Sequence, residues 1–386
     1  MTFASRKVQS KVESGTHPLS LGTRIAAISK GGVDPNKKRK KNQDTYYIST
    51  TCLPDRKQSN FSVCGVCDGH GKQGRKISDF ISKKLPRAMR YEHNRCRESP
   101  TKNPVEKALA IKKACFDAHV KCSKSLDLNP FTPSRMSGST SVSVCFWEDY
   151  MTICNVGDSR AVLGEFSSGE DKILANALSR DQTPYRKDER DRVIKCGARA
   201  LNMGQVRGQA EVHDNWNDEH VGVHLEKIHC DAPRIWAKDH LFPGCQFTRS
   251  FGDFALADLG IHSQPEIITR KISANDRYLV LATDGVWEFL TNQDVIDICS
   301  GFSDPKDACD AIVELSSKLW LQNGQRTDDT TIICIFLNDA EPNDSQPKLL
   351  DIASKRIIVQ HNEVSDTEIS TSSASSYGMC SSSDSL

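Results

Sequence analysis

The sequence predicts an α+β fold built from packed layers, and three observations carry that expectation. Short β-branched and aromatic runs cluster as strands. Helical patterns fall between them in separated pairs, where strict alternation would have indicated a doubly wound parallel sheet. The chain, at 386 residues, is long enough to bury one large core or two ordinary ones.

The strand runs come in a definite order: "TYYIST" (45–50), "FSVCGVCD" (61–68), "STSVSVCFW" (139–147), "YMTICNVGDSRAVLG" (150–164), "RYLVLATD" (277–284) and "TTIICIFL" (330–337). "NVGDSRAVLG" reads as a hairpin around Asp158. In "RKISDFISKKL", Ile77, Phe80, Ile81 and Leu85 share one helical face. In "PVEKALAIKKACFDAHV", Val105, Ala108, Leu109 and Cys115 are expected to do the same. "TNQDVIDICSG" opens on Thr291 with Asp294 three residues on, resembling a capping box, and closes near Gly301. "DPKDACDAIVELSSKLW" places Asp304 at the N-cap and Pro305 at the first helical position. No internal repeat is visible.

Composition excludes several classes. The formal net charge is +1 and charged residues make up 26%, which is no nucleic-acid footprint. No apolar run approaches the roughly 18–20 residues that cross a bilayer. "MTFASRKVQSKV" lacks a secretory core, matches a transit peptide only in its basic, acid-free composition, and has Thr2 where N-myristoylation needs glycine. The 15 cysteines fall mostly inside apolar runs, so they read as reduced, buried thiols of an intracellular protein. Residues 1–22 show no periodicity and predict a flexible arm, while the Ser-rich stretch from 339 onward predicts a disordered tail.

Two apolar runs end on Asp-Gly: "VCDGHG" at Asp68 and Gly69, and "VLATDG" at Asp284 and Gly285. Asp-Gly suits a type I′ hairpin turn. A hairpin needs a second alternating strand, yet a glycine loop and a helical pattern follow the first pair and a helical pattern follows the second. Asp44 in "NQDTYYI" and Asp328 in "TDDTTIICIF" also flank strands. Carboxylates gathered at strand ends repel one another unless a cation neutralises them, and an all-oxygen set suits Mg²⁺ or Mn²⁺. Taken singly, each Asp reads as a cap or turn residue before a ligand.

"NQD", "VCDGHG", "SGST", "GDSRA", "TRSFGDF", "ATDGVWE" and "DDTT" occur in the order seen in the metal-dependent protein serine/threonine phosphatases of type 2C, which the chain resembles over roughly residues 23–338. The resemblance implies a four-layer α-β-β-α sandwich with two central antiparallel sheets flanked by helix pairs. It also implies a variable flap at about 186–247. By position, it implies that Asp68 bridges two Mg²⁺ or Mn²⁺ ions, with the Gly69 carbonyl on the second. Asp284 and Asp328 complete the first ion's ligands, and Asp44 holds metal-bound water. Asp158 and Glu288 mark a third, weaker metal position. Arg39 would bind the phosphate and His70 would be the general acid. The implied reaction is direct attack of a metal-bridging water or hydroxide on phosphoserine or phosphothreonine in proteins, with His70 protonating a poor leaving group and a guanidinium fork on the phosphate.

This chain also departs from the pattern. Gln43 stands where many members carry a glutamate, and Glu288 replaces a commoner aspartate. Arg39 lies in "KKRKK", where Lys37, Lys38, Lys40 or Lys41 could share its work. A pseudophosphatase that only binds, and a phosphatase of small molecules, are the rival readings. "PNKKRKK" also resembles a nuclear-localisation run, so the expected compartment is cytoplasmic or nuclear. "CGVC" at 64–67 lacks a second ligand pair for zinc and reads as core packing. His213, His220, His224, His229 and His240 crowd the flap region, and in "HVGVHLE" His220 and His224 read as the wet face of a strand opposite Val221, Val223 and Leu225, ahead of a zinc site. Phosphorylated proteins are the expected partners, with no membrane and no nucleic acid, and the chain is expected to act as a monomer.

Overall fold

The computed structural model describes residues 23–34, 40–50, 61–97, 103–216, 232–323, 326–338 and 352. The arm expected over 1–22 lies outside them, as do Lys37, Lys38, Arg39 and His220, His224 and His229 of the flap. Of the expected tail, only Ile352 is described, and it is buried against the core.

The first strand, β1 (Arg24–Lys30), is one that the hydrophobic pattern did not single out. It is followed by β2 (Thr45–Thr50), β3 (Phe61–Cys67), the short β4 (Gly69–Gly71) and two long helices, α1 (Gly74–Arg97) and α2 (Pro104–Asp127). Next come β5 (Ser137–Ser139), β6 (Ser141–Trp147), β7 (Tyr150–Val156), β8 (Arg160–Ser167) and β9 (Lys172–Ala177). The flap region contributes α3 (Lys187–Lys195), β10 (Arg199–Leu201), α4 (Met203–Val206), β11 (Arg234–Trp236) and β12 (Pro243–Cys245). The chain returns through β13 (Phe251–Gly252) and a 3₁₀ turn (Phe254–Leu259) to β14 (Glu266–Lys271) and β15 (Asp276–Ala282). It finishes with α5 (Asp284–Trp287), α6 (Asn292–Ser300), α7 (Pro305–Asn323) and β16 (Thr330–Phe336).

Two five-stranded antiparallel sheets form the centre, ordered β1-β16-β15-β8-β9 and β14-β7-β6-β3-β2. The side-chain alternation of the strands sorts residues into three layers of core. In β16, Ile333 and Ile335 enter the cluster between the sheets, while Ile332, Cys334 and Phe336 face α5, α6 and α7. In β15, Leu279 and Leu281 point inward while Tyr278, Val280 and Ala282 point toward the same helices. Both faces are covered, so these strands read as unbroken apolar runs. On the other sheet, Phe61, Val63 and Cys67 pack on Ile77, Ile81 and Leu85 of α1 and Cys115, Ala118 and Cys122 of α2. The result is the helix–sheet–sheet–helix sandwich expected. Cys64 faces the inter-sheet layer and Cys67 the helix side. Burial pushes both thiols up to about 12, as suits inert core residues.

The capping signals at α6 and α7 are in place. Thr291 and Asp294 form a reciprocal capping box, and Asp304 accepts from the Lys306 amide at 2.8 Å. Two expectations are corrected. The run around Asp158 is no hairpin, because β7 and β8 belong to different sheets; Gly157–Ser159 carries the chain across the sandwich. In α2, Val105 and Leu109 are exposed, and the buried face is Ile111, Ala114, Cys115, Ala118, His119, Cys122 and Leu126. Four of those seven residues are alanine or cysteine, so hydrophobic size at the start of the helix is a poor guide to its buried face.

Ile333, fully buried between the sheets, offers a stability test. Ile333→Ala should cost about 2–5 kcal/mol in urea denaturation through lost transfer energy and a residual cavity. Ile268→Ala on the half-exposed edge strand β14 should cost under about 0.5 kcal/mol. Equal costs would contradict this placement of the core.

Candidate active site

Antiparallel pairing sets the site. Where one strand ends, its neighbour begins, so register alone brings chain-distant residues to a common edge. Thr45 pairs with Cys67, which puts Asp44 beside Asp68. Ala282 pairs with Ile332, which puts Thr283 and Asp284 beside Asp328 and Asp329. Ser141 pairs with Val156, which brings Asp158 to the same end. Glu288 follows α5, one helical turn from Asp284, and its amide donates to the Asp284 carbonyl at 2.9 Å.

Hydrogen bonds lock this edge across the two sheets. Thr283 Oγ1 donates to Asp44 Oδ2 at 2.9 Å and accepts the Thr331 amide at 3.0 Å. Asp329 Oδ1 and Oδ2 accept the amides of Gly32 and Gln43 at 2.7 and 2.8 Å. Asp68 exchanges bonds with Thr140, its amide donating to Oγ1 at 3.1 Å and its carbonyl accepting the Thr140 amide at 2.9 Å. Arg75 of α1 donates to the carbonyls of Asn42 and Asp44. Gln43 Nε2 donates to the Gly71 carbonyl at 2.8 Å. Gly69 must be glycine, since a Cβ would lie 2.5 Å from the Gly74 carbonyl oxygen and 2.6 Å from that of Gln43.

The electrostatics are those of acids forced together. Burial first, and then the Asp329 carboxylate, push Asp44 up to about 7. Burial and Asp181 push Asp158 up to about 6. Asp68 is raised well above the carboxylate range by burial and by Asp44, Asp284, Asp158 and Asp328. Asp284 is raised likewise by burial, Asp328 and Asp158, with a hydrogen bond to Asp68 opposing the rise. Lys40 Nζ lies 3.2 Å from Asp328 Oδ1. Partial burial disfavours that ammonium, but Asp328 more than compensates and raises it. Arg39 lies outside the described residues.

The donor set fits a hard divalent cation. Asp44 Oδ1 is buried with no hydrogen-bond partner among the described residues, and buried polar atoms rarely stay unsatisfied. The converging groups are oxygens whose negative forms repel. Among the described residues, the one trio of side-chain ligand atoms lying within 4.8 Å of one another is elsewhere, at Asp188, Glu189 and Glu266. Guanidinium groups already neutralise that trio: Arg186 holds Asp188 and Glu266, and Arg192 and Arg249 hold Glu189.

His70 sits at the rim of the acid cluster on β4. Its Nε2 lies 2.6 Å from Asp253 Oδ2, and its ring tilts against Phe247 with centroids 4.2 Å apart. Neither Asp253 nor Phe247 was singled out from the sequence, although "TRSFGDF" was noted. No local pattern reports a partner 183 residues away. Asp329 was likewise passed over beside Asp328. The flap packs on a small cluster in which its Val193, Ala198, Ala200 and Ile235 meet Leu256 and Ile261 of the chain that follows it. In the flap, His213 lies against Trp216, with ring centroids 4.4 Å apart, and His240 is exposed.

Comparison with known proteins places this arrangement in context. The family model for Protein phosphatase 2C matches residues 30–318. The chain is 37% identical over 312 residues to Probable protein phosphatase 2C 35 of Arabidopsis thaliana, covering 80% of this chain and 82% of that one. It is 34% identical over 289 residues to Probable protein phosphatase 2C 72 of the same plant, covering 72% and 77%. Its fold is similar to that of the serine-threonine phosphatase 2C of Toxoplasma gondii, with a TM-score of 0.64 at 18% identity over 86% of this chain and 99% of that one.

The shifted carboxyls give a signed prediction. Raised acids take up protons on folding, so their stabilising contribution is full below the unfolded value near 4 and is lost as pH rises through about 6 for Asp158 and about 7 for Asp44. A divalent cation competes with those protons. Mn²⁺ should therefore raise the melting temperature more at pH 7.5 than at pH 5, read by thermal denaturation. An equal rise at both values would contradict it.

Proposed function

Because the chain belongs to the protein phosphatase 2C family, we propose that the acid-lined sandwich edge is its active centre, with Asp44, Asp68, Asp284, Asp328 and the Gly69 carbonyl holding a pair of Mg²⁺ or Mn²⁺ ions. The protein is a metal-dependent protein serine/threonine phosphatase. The observation that carries the residue assignment is the crowding of mutually repelling, half-buried carboxylates from both sheets beside the buried Asp44, one of whose oxygens has no hydrogen-bond partner among the described residues. A fold kept only for binding has no use for so costly a concentration of charge, which argues against the pseudophosphatase reading.

When bound, the ions supply Lewis acidity, neutralising phosphate charge and making water nucleophilic near neutral pH. The rest falls to the chain's own residues. Asp44 is fixed by Thr283, so its second oxygen keeps one direction. Arg39 orients the phosphate through a guanidinium fork, and Lys40 on Asp328 supports a phosphate-binding role for this basic run. His70 protonates the departing serine or threonine oxygen, a step worth about 10²–10⁴-fold in rate. Asp158 and Glu288 lie where a further ion would sit, and each bears electrostatically on Asp284. Gln43 adds no charge and instead ties the Asp44 loop to Gly71.

Residues 23–338 form the catalytic unit, and the flap at about 186–247 selects among phosphoprotein substrates. No helix among the described residues is long and apolar enough to cross a membrane. Cytoplasmic and nuclear sites of action both suit the reading, the nuclear one through "PNKKRKK".

Asp284→Asn should abolish Mn²⁺-dependent hydrolysis of a phosphothreonine peptide, a loss of about 10²-fold or more, while circular dichroism and the melting transition show a folded chain. EDTA should do the same to the wild type. Activity that survives both treatments would remove the assignment.

A further inference from the structure

The contact between His70 and Asp253 is built from several independent features. A small three-stranded sheet, β13-β5-β4, has no share in the main sandwich sheets. In it β5 runs between its neighbours, so Gly138 faces His70 on one side and Gly252 on the other. The side chains of His70 and Asp253 meet over Gly138. A Cβ there would lie 2.1 Å from Asp253 Oδ2 and 2.6 Å from His70 Nε2, so the floor beneath the pair must be glycine.

Asp253 itself is held in the left-handed region, φ 48° and ψ 34°, a conformation that costs a non-glycine residue about 1–2 kcal/mol. Such strain persists only where the surroundings dictate it. Its amide donates to the Ser137 carbonyl at 3.1 Å. Ser250, fully buried, donates its hydroxyl to the same Oδ2 at 2.7 Å. The residue precedes the 3₁₀ turn, yet its side chain makes no capping bond there. A purely local turn role would spend the carboxylate on that cap. Here it is turned toward the imidazole instead.

We propose that Asp253 is a positioning residue for His70, taking the Nε2–H and leaving Nδ1 as the nitrogen that gives a proton to the departing serine or threonine oxygen. A carboxylate is acceptor-only, so Nε2 carries the proton in that contact. His70 Nδ1 has no partner among the described residues. His70 enters the step as imidazolium: as water oxygen bonds to phosphorus and releases a proton to solvent, the ester P–O bond breaks and the Nδ1 proton passes to the leaving oxygen to give the free alcohol, leaving a neutral imidazole. The Nε2–H stays on the ring, bonded to Asp253, whose charge is unchanged. Phe247 covers one face of the ring, limiting rotation about the one contact that remains. The inference rests on the acid role of His70.

The test uses the full chain with Mn²⁺ and compares a phosphothreonine peptide, whose alkoxide leaves poorly, with p-nitrophenyl phosphate, whose phenolate leaves without help. His70→Ala should lower kcat on the peptide far more than on the aryl ester. Asp253→Asn should reproduce that contrast, with about a 10- to 100-fold loss on the peptide and under about threefold on the aryl ester. The double variant should be no slower than His70→Ala, as for residues acting as a unit. A contrast in His70→Ala that Asp253→Asn lacks overturns the inference alone, as do losses that multiply in the double variant. No contrast in His70→Ala overturns the acid role and the inference with it. Should Asp253→Asn fail to fold, Ser250→Ala removes only the second donor and should show the same contrast at about threefold; its absence overturns the proposal.

Discussion

Repulsion among carboxylates crowded at one edge of two packed sheets is the constraint on which the rest of the molecule depends. Nothing local would hold Asp44, Asp68, Asp158, Asp284 and Asp328 near one another, because each gains by moving apart or by taking a proton. The restraint comes from the apolar layers behind them. Central strands covered on both faces cannot slip by one residue without turning their inward side chains outward. That fixed register delivers the acids to one place. The cross-sheet bonds of Thr283 and Asp329 then set their directions. Stability made in the core is drawn on at the edge, as expected where function needs an arrangement that folding alone would avoid.

The flap obeys a different logic. Its buried apolar residues cluster with Leu256 and Ile261 apart from the two main sheets, and it carries a three-stranded sheet of short strands. Arg186 ties it to the sandwich through Glu266 of β14, while Glu189 accepts from Arg192 within the same helix and from Arg249 and the Thr248 hydroxyl of the chain that follows. Burial alone would lift the Glu189 carboxyl, and Arg249 and Arg192 overcome it and hold Glu189 well below the carboxylate range. The segment that leaves this anchor carries Phe247, Ser250 and Asp253 in quick succession, which joins the flap to the imidazole at the edge of the acid cluster.

Much of this was legible in the sequence where a single physical rule dominated. Strands buried on both faces announced themselves as apolar runs, the caps of α6 and α7 as Thr-x-x-Asp and Asp-Pro, and the acids as punctuation at strand ends. Elsewhere two rules competed. β1 carries small alanines and β14 is half-exposed, so neither stood out by hydrophobicity. Gly-Asp-Ser after β7 suits a hairpin and an inter-sheet crossing equally, and only packing decides between them. On α2 Val105, Leu109 and Phe116 face outward, while alanines and cysteines share the buried face with Ile111, His119 and Leu126. Asp253 could not be found from spacing at all, since its partner is set by tertiary pairing across β5.

The separate nucleus of the flap has an evolutionary consequence. A segment whose buried cluster includes Leu256 and Ile261 but no residue of the two five-stranded sheets can be rebuilt by mutation with little disturbance of those sheets. If the flap selects substrates as proposed, chemistry and recognition become nearly independent inheritances: a lineage can drift toward new phosphorylated targets while the strand-end acids stay where register put them.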